Sequence, residues 1–372
     1  MAGGAVMLKK TPLHGEHGSH GAKLVPFAGY EMPVQYKSGI LEEHRAVRTA
    51  AGLFDVSHMG ELEVRGSDAL VLVQRVTTND ASKLAVGQAQ YSAICREDGG
   101  TLDDCIVYRM PDHYMIVVNA SNRDKDRDWI VTHTAGLSVH VSDISDDIAL
   151  LALQGPASSQ ILARMTRTDL DRIAYYHFAE GQVEGVEAVI SRTGYTGEDG
   201  FELYIDAHDA VRLWRGLLDG GKSSGLIPAG LGARDSLRME MGYALYGSDM
   251  DETRTPLEAG LGWVTKLDKG EFIGRDALLA QKRNGVAEKL CGFVLKERGF
   301  PRHGYAVIVN GQPVSSVTSG VLSPTLGQGI GMAYLPAAAS QPGTTIEIDT
   351  RGRMTPAQVV RPPFYKGGSI RR

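Results

Sequence analysis

The run ELEVRGSDALVLVQRV, residues 61–76, changes its hydrophobic period midway. Leu62 and Val64 alternate with charged residues, as on a half-buried strand. Beyond Gly66 the apolar residues Ala69, Leu72, Val73 and Val76 recur at helical spacing. Ser67 stands where a helix N-cap is expected. Downstream, YMIVVNASN (114–122) reads as a buried strand, and DKDRDWIVTHTAG (124–136) as a helix stopped by Gly136. Strand and helix signals thus alternate across residues 60–141, the pattern of a compact α+β unit.

On the N-terminal side, GAKLVPFAGYEMPVQY (21–36) is turn-rich and ILEEHRAVRTAAGLF (40–54) reads as a helix ending near Gly52. On the C-terminal side, IALLALQGP (148–156) is a strand closed by a Gly-Pro turn, and ASSQILARM (157–165) is a helix. EAVISRTGYTGEDGFELYI (187–205) gives two strands joined by a glycine-rich loop. AHDAVRLWRGLLDGG (207–221) and AGLGARDSLRMEMGYALYG (229–247) are amphipathic helices. In the second, Ala233, Leu237 and Met241 form a core stripe with Arg234 and Arg238 beside it. Past residue 285 the pattern becomes short strands punctuated by Gly and Pro: CGFVLKERG, YAVIVNGQPV, SVTSGVLSP, GIGMAYLP and TTIEIDTRG. Asn310-Gly311 marks a hairpin, and a small β-barrel or jelly roll is the natural reading.

The chain has 372 residues, 42% hydrophobic and 22% charged, enough for two or three domains with a large core. No apolar run approaches the roughly 20 residues that span a bilayer. The opening MAGGAVMLKKTPLHG lacks the pattern of a secretory or transit leader, so a cytoplasmic location is expected. Cys95, Cys105 and Cys291 have no C-x-x-C spacing, which speaks against a disulfide framework or a zinc site. A net charge of -5 without Lys/Arg blocks gives no reason to expect nucleic-acid or membrane binding.

Familiar catalytic signatures are missing. The run Gly327-Gln-Gly329-Ile-Gly331 lacks the spacing and βαβ context of a dinucleotide fingerprint, and no phosphate loop or serine-hydrolase elbow occurs. His14, His17 and His20 lie in HGEHGSH, whose glycines suggest a solvated loop rather than a metal site. What remains are acids and arginines in turn contexts. Asp103 and Asp104 sit at a strand mouth, where alternation lets at most one of them face a given cavity. In GYTGEDGFE, Glu198 and Asp199 are expected to face water. Glu202 lies in the next strand on the face of Tyr204 and suits a flat ligand offering two N–H donors. Arg238 reads as a surface pairing residue, whereas Arg234, among small residues, can approach a ligand.

These residues carry a family resemblance. LKKTPLHGEH (8–17) with GAKLVPFAGYEMPVQY, GLFDVSHMGELEVRG (52–66), GGTLDDCIVYR (99–109), LALQGP (151–156), RTGYTGEDGFE (192–202), the stretch 230–278 from GLGARDS to GRDAL, and VTSGVLSPTLGQGIGMAYL (317–335) resemble glycine cleavage T-proteins, in the family order. The resemblance implies an α+β, three-domain fold around a central channel. Its parts would be a discontinuous folate-binding core (1–59 and 142–280), a ferredoxin-like domain (60–141) and a C-terminal β-barrel (281–372). It implies a tetrahydrofolate-dependent aminomethyltransferase that takes its carbon from the lipoyl arm of a partner H-protein, with tetrahydrofolate as co-substrate and no metal or nucleotide. It implies Asp104 as the essential carboxylate, and Glu202, assisted by Arg234, on the pterin edge. Met59, Tyr91, Tyr176 and Tyr195 would line the pocket, with Tyr175 an equal candidate to Tyr176. Folate-dependent demethylases share the fold but not the T-protein-like stretch around PLEAGLGWVTKLDKGEF. The iron–sulfur maintenance proteins carry a K-G-C-x-x-G-Q-E signature, whereas the comparable LDKGEFIGRDAL here has Glu271 and Phe272, no cysteine and no Gln-Glu. The flavin dehydrogenases that carry such folate domains need a flavin module for which this chain has neither room nor fingerprint.

Overall fold

The computed structural model describes residues 7–371, so residues 1–6 of the leader reading lie outside the described part. Two sheets face one another and a barrel closes one side of the gap between them. The first sheet has six strands in the order Phe178–Val183, Val186–Ser191, Gly200–Asp206, Ile148–Gln154, Ala51–Asp55 and Leu226–Pro228, antiparallel except for the last pair. Alternation along Gly200–Asp206 sends Phe201, Leu203 and Ile205 to one face. There they pack under the helices Ser158–Leu162 and Ala210–Gly221 with fully buried Trp214 and Leu213. Each such side chain contributes roughly 1.5–3 kcal/mol on leaving water. The opposite face carries Leu150, Ala152 and Tyr204, and it looks across to the second sheet.

That second sheet runs Gln88–Cys95, Thr101–Arg109, Tyr114–Val118, Gly60–Arg65 and His140–Asp143. The helices Ala69–Val76 and Arg123–Thr132 cover the face bearing Leu62, Val64, Val107 and Ile116. Without its first edge strand it has the order of a ferredoxin-like unit. Its free face, with Ile106, Tyr108, Met115 and Val117, joins Phe54, Leu150 and Tyr204 in a shared core. The C-terminal strands Glu288–Leu295, Gly329–Pro336, Gln312–Leu322, Ala306–Val309, Thr345–Asp349 and Met354–Val360 close into a six-stranded barrel. Asn310 and Gly311 take positive φ of 51° and 74° in its tight turn. Met239 from the helix Leu231–Met241 packs against Ile330 and Met332 on the barrel's outside.

Several local expectations need correction. Residues 21–36 are not merely turns but a hairpin of Lys23–Phe27 and Tyr30–Gln35. The helix expected over 40–54 ends at Thr49, and Ala51–Asp55 enters the six-stranded sheet. The chain packs too tightly there for a side chain, since a Cβ on Gly52 would meet Val47 Cγ2 at 2.5 Å. Ser67 does not cap the next helix. That helix starts at Ala69, and the N-cap residue Asp68 makes no side-chain cap bond; its carboxylate accepts from Ser138 N at 2.7 Å instead. The histidine run is no solvated loop but lies in and just after the short helix His14–Ser19. His17 is fully buried between Asp55 Oδ2 at 2.8 Å and Tyr36 Oη at 2.9 Å, while His14 meets Glu31. The three cysteines are free thiols. No helix among the described residues is long and apolar enough to cross a membrane.

Candidate active site

Between the two facing sheets lies a cavity of about 830 Å³, closed by the stretch 242–263 and by barrel residues Leu290, Gly292 and Met332. Such a volume suits a drug-sized or cofactor-sized molecule. Met59, Tyr91, Asp104, Tyr175, Tyr176, Tyr195, Glu202 and Arg234 all line it. Residues spread over 175 positions of sequence are thus brought into one space because the sheets that carry them share a core.

Asp104 belongs to the strand Thr101–Arg109, whose alternation turns Asp104, Ile106 and Tyr108 toward the other sheet. Asp104 Oδ2 accepts from Tyr91 Oη at 2.9 Å, and Oδ1 from Asn119 Nδ2 at 2.9 Å. Asp103 points the other way, fully buried, and accepts from Asn119 N at 3.0 Å and from the amides of Asn119 and Asn122 at 2.8 and 2.7 Å. Burial and then the charge of Asp103 push the Asp104 carboxyl up to about 7, against the pull of Tyr91 and Asn119. An acid poised near neutrality can exchange a proton at working pH. Behind the pair, buried Asp126 has no donor among the described residues, and burial followed by Asp103 pushes it up to about 11.

Glu202 sits in the strand Gly200–Asp206, its Oε2 accepting from the Thr193 hydroxyl. Burial raises its carboxyl, and Thr193 and the Arg234 charge pull it back. The loop that leads to this strand packs against Gln154, whose Nε2 donates to Thr193 O at 3.0 Å and whose Oε1 accepts from Thr196 at 2.9 Å. A Cβ on Gly194 would lie 2.0 Å from Gln154 Oε1. Gly197, at φ +80°, leaves room for Met241. The loop so held presents Tyr195, whose hydroxyl donates to Ala244 O and whose ring stacks on Tyr243 at 5.6 Å. Arg234 rests over the Tyr195 ring at 4.5 Å and has no carboxylate partner among the described residues.

Two expectations are overturned here. Glu198 does not face water: it is 2% exposed, pairs with Arg48 at 2.8 Å and accepts from Ser369 N at 2.8 Å. Its neighbour Asp199 is partly buried against Arg192. Arg238 is no surface residue either, being 2% exposed between Asp249 at 2.7 Å and Asp235 at 2.8 Å. Arg48 and Ser369 reach Glu198 from 150 and 171 residues away, and Ser319 reaches Arg238 from 81 residues away, beyond the reach of local spacing. Tyr175 and Tyr176 both reach the cavity, their rings edge to face at 4.7 Å. Residues missed by sequence reasoning are Asn119, Tyr243, Arg361 and Trp263. Trp263 is 61% exposed yet stacks on Tyr91 at 5.9 Å and 27°. Its place in an apolar Gly-Leu-Gly-Trp run was the available signal.

Comparison with known proteins agrees with this geometry. The family described as the GCVT N-terminal domain matches residues 13–269, and the glycine cleavage T-protein C-terminal barrel domain matches 288–366. The chain is 53% identical to an aminomethyltransferase of Symbiobacterium thermophilum, covering 96% of this chain and 98% of that one. It is 48% identical to the aminomethyltransferase of Bacillus subtilis, covering 97% and 100%. Among solved structures it is similar to the glycine cleavage system aminomethyltransferase T from Bartonella henselae. The TM-score is 0.92 and the identity 34%, over 97% of this chain and 99% of that one.

Proposed function

The chain belongs to the glycine cleavage T-protein family and is an aminomethyltransferase, and on that premise we propose that its cavity takes tetrahydrofolate as co-substrate and receives its carbon from the dihydrolipoyl arm of a partner H-protein. One observation carries the reading: a single aromatic-walled cavity holds two half-buried carboxylates, Asp104 and Glu202, each gripped by its own donors. Glu202 with Arg234, which has no carboxylate partner among the described residues, suits the polar edge of a pterin, and Tyr176, Tyr195 and Met59 suit its faces.

Tetrahydrofolate supplies the nitrogen nucleophiles N5 and N10. The carbon–sulfur bond of the aminomethyl group breaks as the bond to N5 forms, and closure on N10 expels ammonia. The two folate N–H protons end on the thiolate and the departing amine. Asp104 is placed to steady the positive charge that develops and to carry a proton between these groups. Tyr91 and Asn119 fix its carboxylate plane, so no reorientation is needed as charge appears. The demethylase reading has no specific observation in its favour.

The deciding experiment mixes the chain with aminomethyl-loaded H-protein and measures ammonia with and without tetrahydrofolate. Release that depends on both partners is expected. Ammonia release at the same rate without folate would sink the proposal.

A further inference from the structure

Behind Glu202 lies a buried row of hydroxyls that the transfer chemistry does not use. Glu202 and Ser191 are cross-strand partners, and Thr193 follows two residues on. Tyr108 comes across from the other sheet and Tyr204 lies next along the face of Glu202. Tyr204 Oη and Tyr108 Oη are 2.9 Å apart, Tyr108 Oη and Ser191 Oγ 3.2 Å, and Ser191 Oγ and Thr193 Oγ1 3.0 Å. Tyr108 also lies 3.4 Å from Thr193 Oγ1. The row ends where Thr193 meets Glu202 Oε2. All four hydroxyl residues are at most 4% exposed.

Each hydroxyl has one proton to give, and a carboxylate has none. An ionised Glu202 at the end therefore fixes the order of the whole row. Thr193 donates to Glu202, Ser191 to Thr193, Tyr108 to Ser191 and Tyr204 to Tyr108. Dipoles aligned head to tail polarise one another, so the last bond is stronger than an isolated hydroxyl would make it. Glu202 has no other protein donor among the described residues, and it lines the cavity. One oxygen is thus tethered and the other is left for a ligand.

We infer that Thr193, backed by the Ser191–Tyr108–Tyr204 hydroxyl row, is the positioning residue that sets the carboxylate plane of Glu202 and keeps it an acceptor toward the pterin edge. This rests on the reading of Glu202 as the pterin-binding acid. The row also ties the two sheets together at the cavity wall, because Tyr108 belongs to one, Ser191 and Tyr204 to the other, and Thr193 to the loop that follows Ser191.

The test is calorimetric titration with tetrahydrofolate under reducing conditions, on the full chain. Thr193→Val keeps the shape and removes the donor. It should raise Kd about tenfold or more, the worth of one hydrogen bond to a charged group. Thr193→Ser, which restores the hydroxyl, should return Kd to within about threefold of wild type. Loss should appear in KM for tetrahydrofolate more than in kcat. In a Glu202→Ala background, Thr193→Val should add little further loss, because both changes act on one contact. Ser191→Ala breaks the row one step back and gives a second reading if Thr193→Val does not fold; a Kd about two- to fourfold higher is expected. Wild-type affinity in Thr193→Val, or in Ser191→Ala where it must stand in, with Glu202→Ala still impaired, would overturn the inference and leave the pterin reading intact. Wild-type affinity in Glu202→Ala would overturn the pterin reading itself.

Discussion

Asp103 and Asp104 are neighbours in sequence with opposite surroundings, one among amide donors behind the sheet and the other in the cavity. Asp104→Asn keeps the shape and both hydrogen-bonding neighbours but removes the charge. It should leave the Kd for tetrahydrofolate within about threefold while turnover falls about a hundredfold or more; binding and single-turnover assays check this. The proton affinity of Asp104 gives a second expectation. With its carboxyl raised to about 7, the anion forms only as pH rises through neutrality. The free-enzyme profile of kcat/KM should therefore climb between about pH 6 and 8, where an ordinary aspartate would have levelled off by about pH 5. Asp103→Asn removes the negative neighbour and should shift that limb to lower pH. A limb that stays in place would show that Asp103 does not set it. Strand alternation, a local property, makes it legible that only one of the two acids can face the cavity, while the resemblance implies that it is Asp104. It does not make the burial of Glu198 or Arg238 legible, because their partners Arg48, Ser369 and Asp249 arrive from other elements.

The glycine-rich loop between Ser191 and Gly200 is the element that aims Tyr195 and delivers Glu202. Gly197 combines φ +80° with a Cβ position 2.2 Å from Met241 Sδ. Gly197→Ala should cost about 2 kcal/mol or more through left-handed backbone strain plus displacement of Met241. Urea denaturation measures the loss, and the tetrahydrofolate KM should rise with it as Tyr195 shifts. This hairpin is readable from its glycines and flanking β-formers, whereas the end of the helix at Thr49 is not. Residues 51–54 lack a strand-like alternation, and their place in the middle of a sheet makes them strand. Tertiary pairing overrides propensity there.

At the scale of the molecule, a buried ionic network joins the helices Ile40–Thr49 and Leu231–Met241, the glycine loop, the barrel and the C-terminal tail. Arg48 donates to Glu240 at 2.8 and 3.0 Å, to Glu198 at 2.8 Å and to Thr196 O at 2.8 Å. Glu240 also accepts from Thr325 N of the barrel at 3.0 Å. Arg48→Met should destabilise the fold by roughly 3–5 kcal/mol, since it leaves buried Glu198 without its cation and buried Glu240 with only His44; thermal or denaturant unfolding measures it. Although burial alone would raise Glu240, His44 and Arg48 hold it down at about 2. Its contribution to stability is therefore full above the ordinary carboxylate range and lost as pH falls through about 2. We propose that residues 60–141 and 281–372 are separate folding units set on a core of 1–59 and 142–280. Limited proteolysis should cut first near these joints. The barrel is legible as a run of short strands, but its seat against the helix Leu231–Met241 is not, because Met239 looks like any core residue in sequence.

The stacked pair at the cavity rim has a spectroscopic consequence. Of the three tryptophans, Trp214 is fully buried beneath the six-stranded sheet and Trp129 packs on His133. Trp263 lies against Tyr91, whose hydroxyl holds Asp104. A molecule settling on that acid disturbs the one indole at the rim, so the intrinsic emission of this exposed indole becomes a label-free signal of occupancy. Trp263→Phe would darken that signal while the other two indoles go on shining.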